Sequence, residues 1–313
     1  MPSFSHQPVL LEEVLTSLQP KAHGRYLDGT LGGGGHAAAI LGASAPDGLL
    51  IGCDRDPAAL AAARERLGTF AGRFETHHCD FKEADLRVAP GSLDGIVLDL
   101  GVSSHQLDTP ARGFSFLNDG PLDMRMDPSS GAPTAADLVN GISAEALADL
   151  LWKWGEERQT RRIARAIADE RRHRPFTTTR QLADFIERIC PRRGSPTHPA
   201  TRCFQALRIA TNGELASVEE GLERALPLLA PGGRLAVISF HSLEDRLVKD
   251  FMRREARDYG FEGPVDHPHL RRPRSPRGRE LARRGIVASE PEVQANPRAR
   301  SARLRVLERL PTP

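Results

Sequence analysis

YLDGTLGGGGHAAAI, residues 26–40, decides how the rest of the chain is read. A short apolar run ends in Asp28, a run of glycines follows, and an alanine-rich helical pattern opens at His36. Strand, glycine loop and helix in that order make a nucleotide-type site: glycines let the backbone approach a ligand, and the free N–H groups of a helix's first turn attract anionic groups. Two ligands compete for it. Gly33, Gly35 and Ala38 fit the looser dinucleotide spacing G-x-G-x-x-A, with Asp54 near the distance expected for ribose recognition. Asp28, directly ahead of the loop, would repel a pyrophosphate and attract the ammonium of a methionine moiety, which favours S-adenosylmethionine over NAD.

Outward from this loop, short apolar runs alternate with helical patterns. Strands are expected at Arg25–Asp28, Leu49–Asp54, Phe74–Cys79 and Gly95–Leu100, and Asp56 followed by Pro57 caps a helix running to Leu67. This is the pattern of an α/β protein with a parallel sheet and crossover helices, whose ligands sit beyond the carboxyl ends of the strands. Asp54, in IGCDRD (51–56), is placed to accept hydrogen bonds from ribose hydroxyls, because Asp56 already supplies the helix cap. Asp80 and Phe81, after the third strand, offer a polar edge and an aromatic face to an adenine.

After about Pro110 the alternation stops. A Gly/Pro/Asp-rich stretch, FLNDGPLDMRMDPSSGAPT (116–134), several helical patterns and a second breaker cluster, PRRGSPTHP (191–199), follow. Residues 111–199 read as an inserted helical substrate-recognition domain between the two parts of a core, 1–110 and 200–313. Within it Glu156–Arg174 reads as one helix, with Ile163 and Ile167 on an apolar stripe and Arg158, Arg161, Arg162 and Arg165 facing elsewhere. The sheet resumes at Arg234–Phe240. Ala302–Leu307 supplies a terminal hairpin strand, and the Pro/Arg-rich stretch from Gly260 to Gly285 reads as a mobile loop or arm.

The bulk numbers bound the class. At 313 residues, 39% hydrophobic and 27% charged, the chain is a folded globular protein longer than one compact domain. Its start, MPSFSHQPVLLEEVL, lacks a basic region and carries Glu12 and Glu13 within its apolar stretch, so no signal peptide is expected; nor does any apolar run suffice to span a bilayer. The 4 cysteines, Cys53, Cys79, Cys190 and Cys203, are far apart and form no C-x-x-C pair, which argues for a reducing, cytoplasmic setting without a disulfide framework or a zinc site. The net charge of +2 hides arginine clusters at Arg158–Arg193 and Arg271–Arg309, a pattern that attracts phosphate backbones.

Two further strand ends open onto the same crevice, in IVLDLGVSSHQLD (96–108) and LAVISFHSLEDR (235–246). Asp99 is placed to hold a cofactor or accept a proton-bearing group of a substrate, or else merely to shape a turn; His241 is a general-base candidate or a hydrogen-bonded structural histidine. Together with DGTLGGGGH (28–36), DRDP (54–57), RGFSF (112–116), DGPLDMRMD (119–127), GEER (155–158), RIARAI (162–167), HPATRCFQALRI (198–209) and NPRARSARLR (296–305), these runs resemble the RsmH (MraW) family nearly end to end. The resemblance implies a class I S-adenosylmethionine-dependent methyltransferase sheet interrupted by a helical substrate domain. It implies methylation of the exocyclic N4 amine of a cytidine in the decoding region of bacterial 16S ribosomal RNA. It also implies cofactor contacts at Gly34, Gly35, His36, Asp54, Phe81, Asp99 and Gln106, to which the reading of the loop adds Asp28. In one respect the chain departs from many methyltransferases that modify base amines: the run after the fourth strand, DLGVSS (99–104), lacks their Asp/Asn/Ser-Pro-Pro-aromatic motif.

On this reading Asp99 and His241 hydrogen-bond the amine and orient it, Arg161 and Arg165 hold phosphates of small-subunit ribosomal RNA within an assembled subunit, and no metal or membrane takes part. Three alternatives stay open: a protein or small-molecule methyl acceptor, a non-enzymatic RNA-binding or assembly factor, and an NAD-dependent oxidoreductase.

Overall fold

A computed structural model describes residues 8–192, 194, 197–261 and 266–311. Along the chain run α1 (Leu11–Leu18), β1 (Arg25–Asp28), α2 (Gly35–Ala43), β2 (Leu49–Asp54), α3 (Pro57–Arg66), β3 (Phe74–His78) and β4 (Leu93–Asp99). Then come α4 (Ser104–Asp108), α5 (Ala135–Gly141), α6 (Ala144–Gly155), α7 (Thr160–Glu170), α8 (Thr179–Ile189) and α9 (Ala200–Asn212). The last stretch holds α10 (Glu214–Leu228), β5 (Leu229–Ser239), α11 (Ser242–Glu255), β6 (Tyr259–Phe261), β7 (Arg271–Pro273), β8 (Gly278–Glu280), β9 (Ile286–Val287), α12 (Glu290–Ala295) and β10 (Arg303–Arg309).

The chain divides into two compact units, one of residues up to Gly101 and from Leu215 onward, the other Val102–Glu214. The first is built on an eight-stranded sheet of order β3-β2-β1-β4-β5-β10-β8, with β9 also paired to β10. From β3 to β5 every pairing is parallel, and β10 returns antiparallel to β5. This is a doubly wound α/β sheet. Its central strands are near-continuous apolar runs because both faces are covered. Tyr26, Val97, Ala236 and Ile238 pack on one face with Val14, Leu18, Ile40 and Leu60 of α1–α3. Their sequence neighbours Leu27, Ile96, Leu98 and Val237 pack on the other with Leu222, Val248 and Phe251 of α10 and α11. Strand reversal falls at β1, flanked by β2 and β4, which is where such sheets open a crevice.

The second unit is helical. Leu147 and Leu151 of α6, Ile163 and Ile167 of α7, Leu182 and Ile186 of α8, and Phe204 and Leu207 of α9 share one core. The interval 111–199 of the sequence reading lies inside this unit, which also takes in α4 and α9; α9 belongs to it because its apolar side closes that core. Asn212 ties α9 to the DGPLDMRMD stretch: its Nδ2 donates to the Met124 carbonyl at 2.8 Å and its Oδ1 accepts the Met126 N–H at 2.8 Å.

Two expectations need correction. The helix expected at Glu156–Arg174 starts only at Thr160, because Glu156 adopts φ 49° and ends α6. The Pro/Arg-rich stretch 260–285, of which 262–265 lie outside the described residues, contributes β7, β8 and the end of β6. There, stacking of Arg257 and Arg271 on Tyr259 supplies the cohesion that apolar alternation does not. The late strand expected at Ala302–Leu307 is β10, which pairs antiparallel with its sequence neighbour β9 and also with β5 and β8.

Candidate active site

β1, β2 and β4 are adjacent in the sheet and end in Asp28, Asp54 and Asp99, which brings three carboxylates to one edge of the first unit. Asp28 is 1% exposed and turned into the glycine loop, accepting the N–H groups of Thr30, at 3.2 Å, and Ala37. Asp54 accepts the Gly32 N–H at 2.7 Å and the Asp56 N–H at 2.8 Å, so it fixes both the loop and the start of α3. Asp56 caps α3 through the Ala58 N–H, as its sequence position requires. Gly32 and Gly34 sit at φ +51° and +75°, the left-handed region, and Gly34 is the N-cap of α2. Gly35 and His36 thereby open α2, in whose first turn N–H groups lack intrahelical partners.

Asp99 differs from the other two. Its N–H donates to Thr30 Oγ1 at 2.6 Å, but its buried Oδ1 has no hydrogen-bond partner among the described residues, and its Oδ2 lies 3.8 Å from His36 Nδ1. His36 Nε2 is 3.0 Å from the Val9 carbonyl, which assigns the proton to Nε2. Burial pushes all three carboxyls up: Asp54 to about 6, Asp28 to about 7 and Asp99 to about 8, the last also through the neighbouring charges of Asp28 and Glu244. Crowded acids of this kind, once ionised, favour a cationic group beside them.

Phe81 and Asp80 follow β3. The Phe81 ring packs against α10 at Gly221, where an added Cβ would lie 2.1 Å from the ring. Asp80 accepts the Lys82 N–H and the Ser217 hydroxyl, the latter at 2.7 Å. His241 is the N-cap of α11, and both its nitrogens face Glu244: Nδ1 accepts the Glu244 N–H at 3.4 Å and Nε2 lies 3.0 Å from Glu244 Oε1. Gln106, in the second unit, forms a capping box with Ser103, accepting the Ser103 N–H at 3.0 Å. Arg161 and Arg165, one helical turn apart on α7, are both exposed.

Sequence reasoning passed over Thr30, Ser217, Gly221 and Glu244. The last had a visible signal, since Glu three residues after a capping position is a capping-box pattern. Its proximity to Asp99 depends on β5 lying beside β4.

A family model described as the MraW methylase family matches residues 3–310. The chain belongs to the MraW methylase family. Curated relatives of this MraW-family chain carry the name Ribosomal RNA small subunit methyltransferase H. One from Syntrophotalea carbinolica is 53% identical over 312 residues, covering 98% of each chain. One from Geobacter sulfurreducens is 53% identical over 313 residues, covering 98% of this chain and 100% of its own. One from Thermomicrobium roseum is 51% identical over 311 residues, covering 98% and 94%. Among the described residues of this MraW-family chain, no group of three or more His, Cys, Asp or Glu side chains is arranged to hold a metal ion, and no helix is long and apolar enough to cross a membrane.

Proposed function

We propose that the chain transfers a methyl group from S-adenosylmethionine to the exocyclic N4 amine of a cytidine in the decoding region of 16S ribosomal RNA, acting in the cytoplasm on an assembled small subunit. The observation that carries the cofactor half is the unpartnered Oδ1 of Asp99 at the sheet edge that also carries the buried Asp28 and the half-buried Asp54. A zwitterionic sulfonium fits that edge, and a diphosphate does not. The RNA half is supported by the names of relatives about 50% identical and by the exposed arginines of α7.

S-adenosylmethionine, when bound, supplies an electrophilic methyl group. The chain's own residues do the rest. The opening turn of α2 at Gly34, Gly35 and His36 receives the carboxylate of the amino-acid moiety, while Asp28 holds the loop in shape and adds negative potential. Asp54 takes the ribose hydroxyls, and the Phe81 region borders the adenine. Asp99 accepts a hydrogen bond from the substrate amine, directing its nitrogen lone pair away from the pyrimidine ring, and takes the proton the amine sheds; an acid that titrates near 8 suits that task. His241, with both nitrogens turned to Glu244, serves this reading by fixing Glu244 near Asp99. Arg161 and Arg165 hold RNA phosphates around the unstacked base.

The test incubates the purified chain with methyl-labelled S-adenosylmethionine and either total RNA, small-subunit particles or total protein, followed by nucleoside mass spectrometry. Label in N4-methylcytidine of the small-subunit RNA is expected. Label only in protein, or none in any acceptor, overturns the reading.

A further inference from the structure

β6 and β7 form a small antiparallel ribbon outside the main sheet, with Tyr259 opposite Pro273, Gly260 opposite Arg272 and Phe261 opposite Arg271. Strand alternation sorts these side chains onto two faces. On one, the Arg271 guanidinium lies 4.3 Å from the Tyr259 ring centre, and Arg257 reaches both Tyr259 and Phe261, at 5.6 and 5.9 Å. Asp266 accepts from the Tyr259 hydroxyl and from Arg271 Nε, each at 2.7 Å, and so locks the layer. On the other face Arg272 is exposed and has no side-chain partner among the described residues. Its cross-strand neighbour is Gly260, where an added Cβ would meet nothing closer than 3.8 Å, so this face is open around the arginine. Between Arg253 and Arg284 the sequence places 10 arginines against 5 acidic residues.

The geometry points to this ribbon as a second RNA-binding surface, in the first unit, that holds single-stranded RNA through a phosphate contact at Arg272 on one face and base stacking on the guanidinium and aromatic layer of the other, the strand passing around the ribbon's edge. The inference rests on the RNA reading given above and deepens it. Charge alone would equally suit an acidic protein. The planar layer decides for RNA, because unpaired bases stack on aromatic rings and on arginine planes, whereas an acidic peptide has no use for them. Locking that layer with Asp266 removes side-chain freedom before a ligand arrives, which lowers the entropy lost on binding.

The test uses the full chain and a fluorescein-labelled unstructured oligoribonucleotide, with affinity read by anisotropy at several salt concentrations. Arg272→Glu is expected to weaken binding about fivefold or more near 0.1 M salt and to reduce the slope of log K against log salt by about 0.7, the value for one phosphate contact on a single strand. Its thermal midpoint should match the parent, since the Arg272 side chain holds nothing in place. Wild-type affinity and slope in Arg272→Glu overturn the inference. An equal loss of binding to labelled polyglutamate also overturns it and assigns the ribbon to an acidic protein. Failure of the broader reading looks different: the parent chain then methylates no RNA, whatever the ribbon variant does.

Discussion

Asp99 Oδ2 stands 3.8 Å from Nδ1 of His36, a ring whose other nitrogen is already committed to the Val9 carbonyl at 3.0 Å. Neither neighbour supplies a strong permanent cation, so the Asp99 carboxyl, pushed up to about 8 by burial and by Asp28 and Glu244, holds its proton through neutral pH when no ligand is present.

This makes cofactor binding pH-dependent. A cationic ligand favours ionised Asp99, so its affinity should climb as pH rises toward about 8, and binding at pH 7 should release protons. Between the unfolded value near 4 and the folded values of about 6 to 8, the folded chain keeps protons the unfolded chain has lost; ligand-free stability therefore falls with rising pH across that window. Asp99→Asn should flatten the binding dependence and reduce the stability dependence to the share of Asp28 and Asp54. Calorimetry in two buffers of different ionisation enthalpy measures the proton release, and the same release in Asp99→Asn would refute the assignment.

Asp54→Ala should lower S-adenosylmethionine affinity by roughly tenfold or more, because it removes the acceptor of the Gly32 and Asp56 N–H groups as well as the ribose contact. The far-ultraviolet circular dichroism should stay unchanged. Titration calorimetry returning the parental affinity would discard the role.

Arg161→Glu combined with Arg165→Glu should weaken RNA binding steeply and in a salt-dependent way, while leaving cofactor affinity alone, since both side chains are exposed on α7. Unchanged methylation of ribosomal particles at near-physiological salt would count against α7 as the contact.

Asp245→Ala should cost about 3–5 kcal/mol. The Asp245 carboxylate receives Arg305 Nε at 2.7 Å and Nη2 at 3.0 Å, and Arg305 is only 5% exposed, so the variant leaves a buried guanidinium without its counter-charge and with only the Arg283 carbonyl, at 3.1 Å from Nη1, as acceptor. Burial works against the Asp245 charge, but Arg305 holds its carboxyl below the usual range; the stabilisation is present above about pH 4 and lost as pH falls through the folded value. Urea titration of the two proteins checks the size.

How much of this was legible in the sequence depended on what held each element together. β1 and β2 begin and end where the sequence reading puts them, because apolar runs stop at Asp28 and Asp54. α3 starts at Pro57 because Asp56 announces it. The helix break at Glu156 was hidden, since a left-handed cap on a charged residue leaves no mark in an amphipathic pattern. The β6–β7 ribbon was hidden for another reason: its cohesion comes from arginines stacked on rings, which composition alone reads as a loop. At the site, the aspartates were legible one strand at a time. Their mutual repulsion was not, and neither was the part of Glu244, because both depend on which strands are neighbours.

β10 lies between β5 and β8 in space but follows both in the chain. During synthesis, the flank of β5 that later pairs residue by residue, from Arg303 against Ser239 to Glu308 against Arg234, stays bare until residues 303–309 emerge. A nascent chain stalled short of Arg303 would offer that flank to other polypeptides, so chaperone dependence and aggregation of this protein should turn on whether its last strand has been translated.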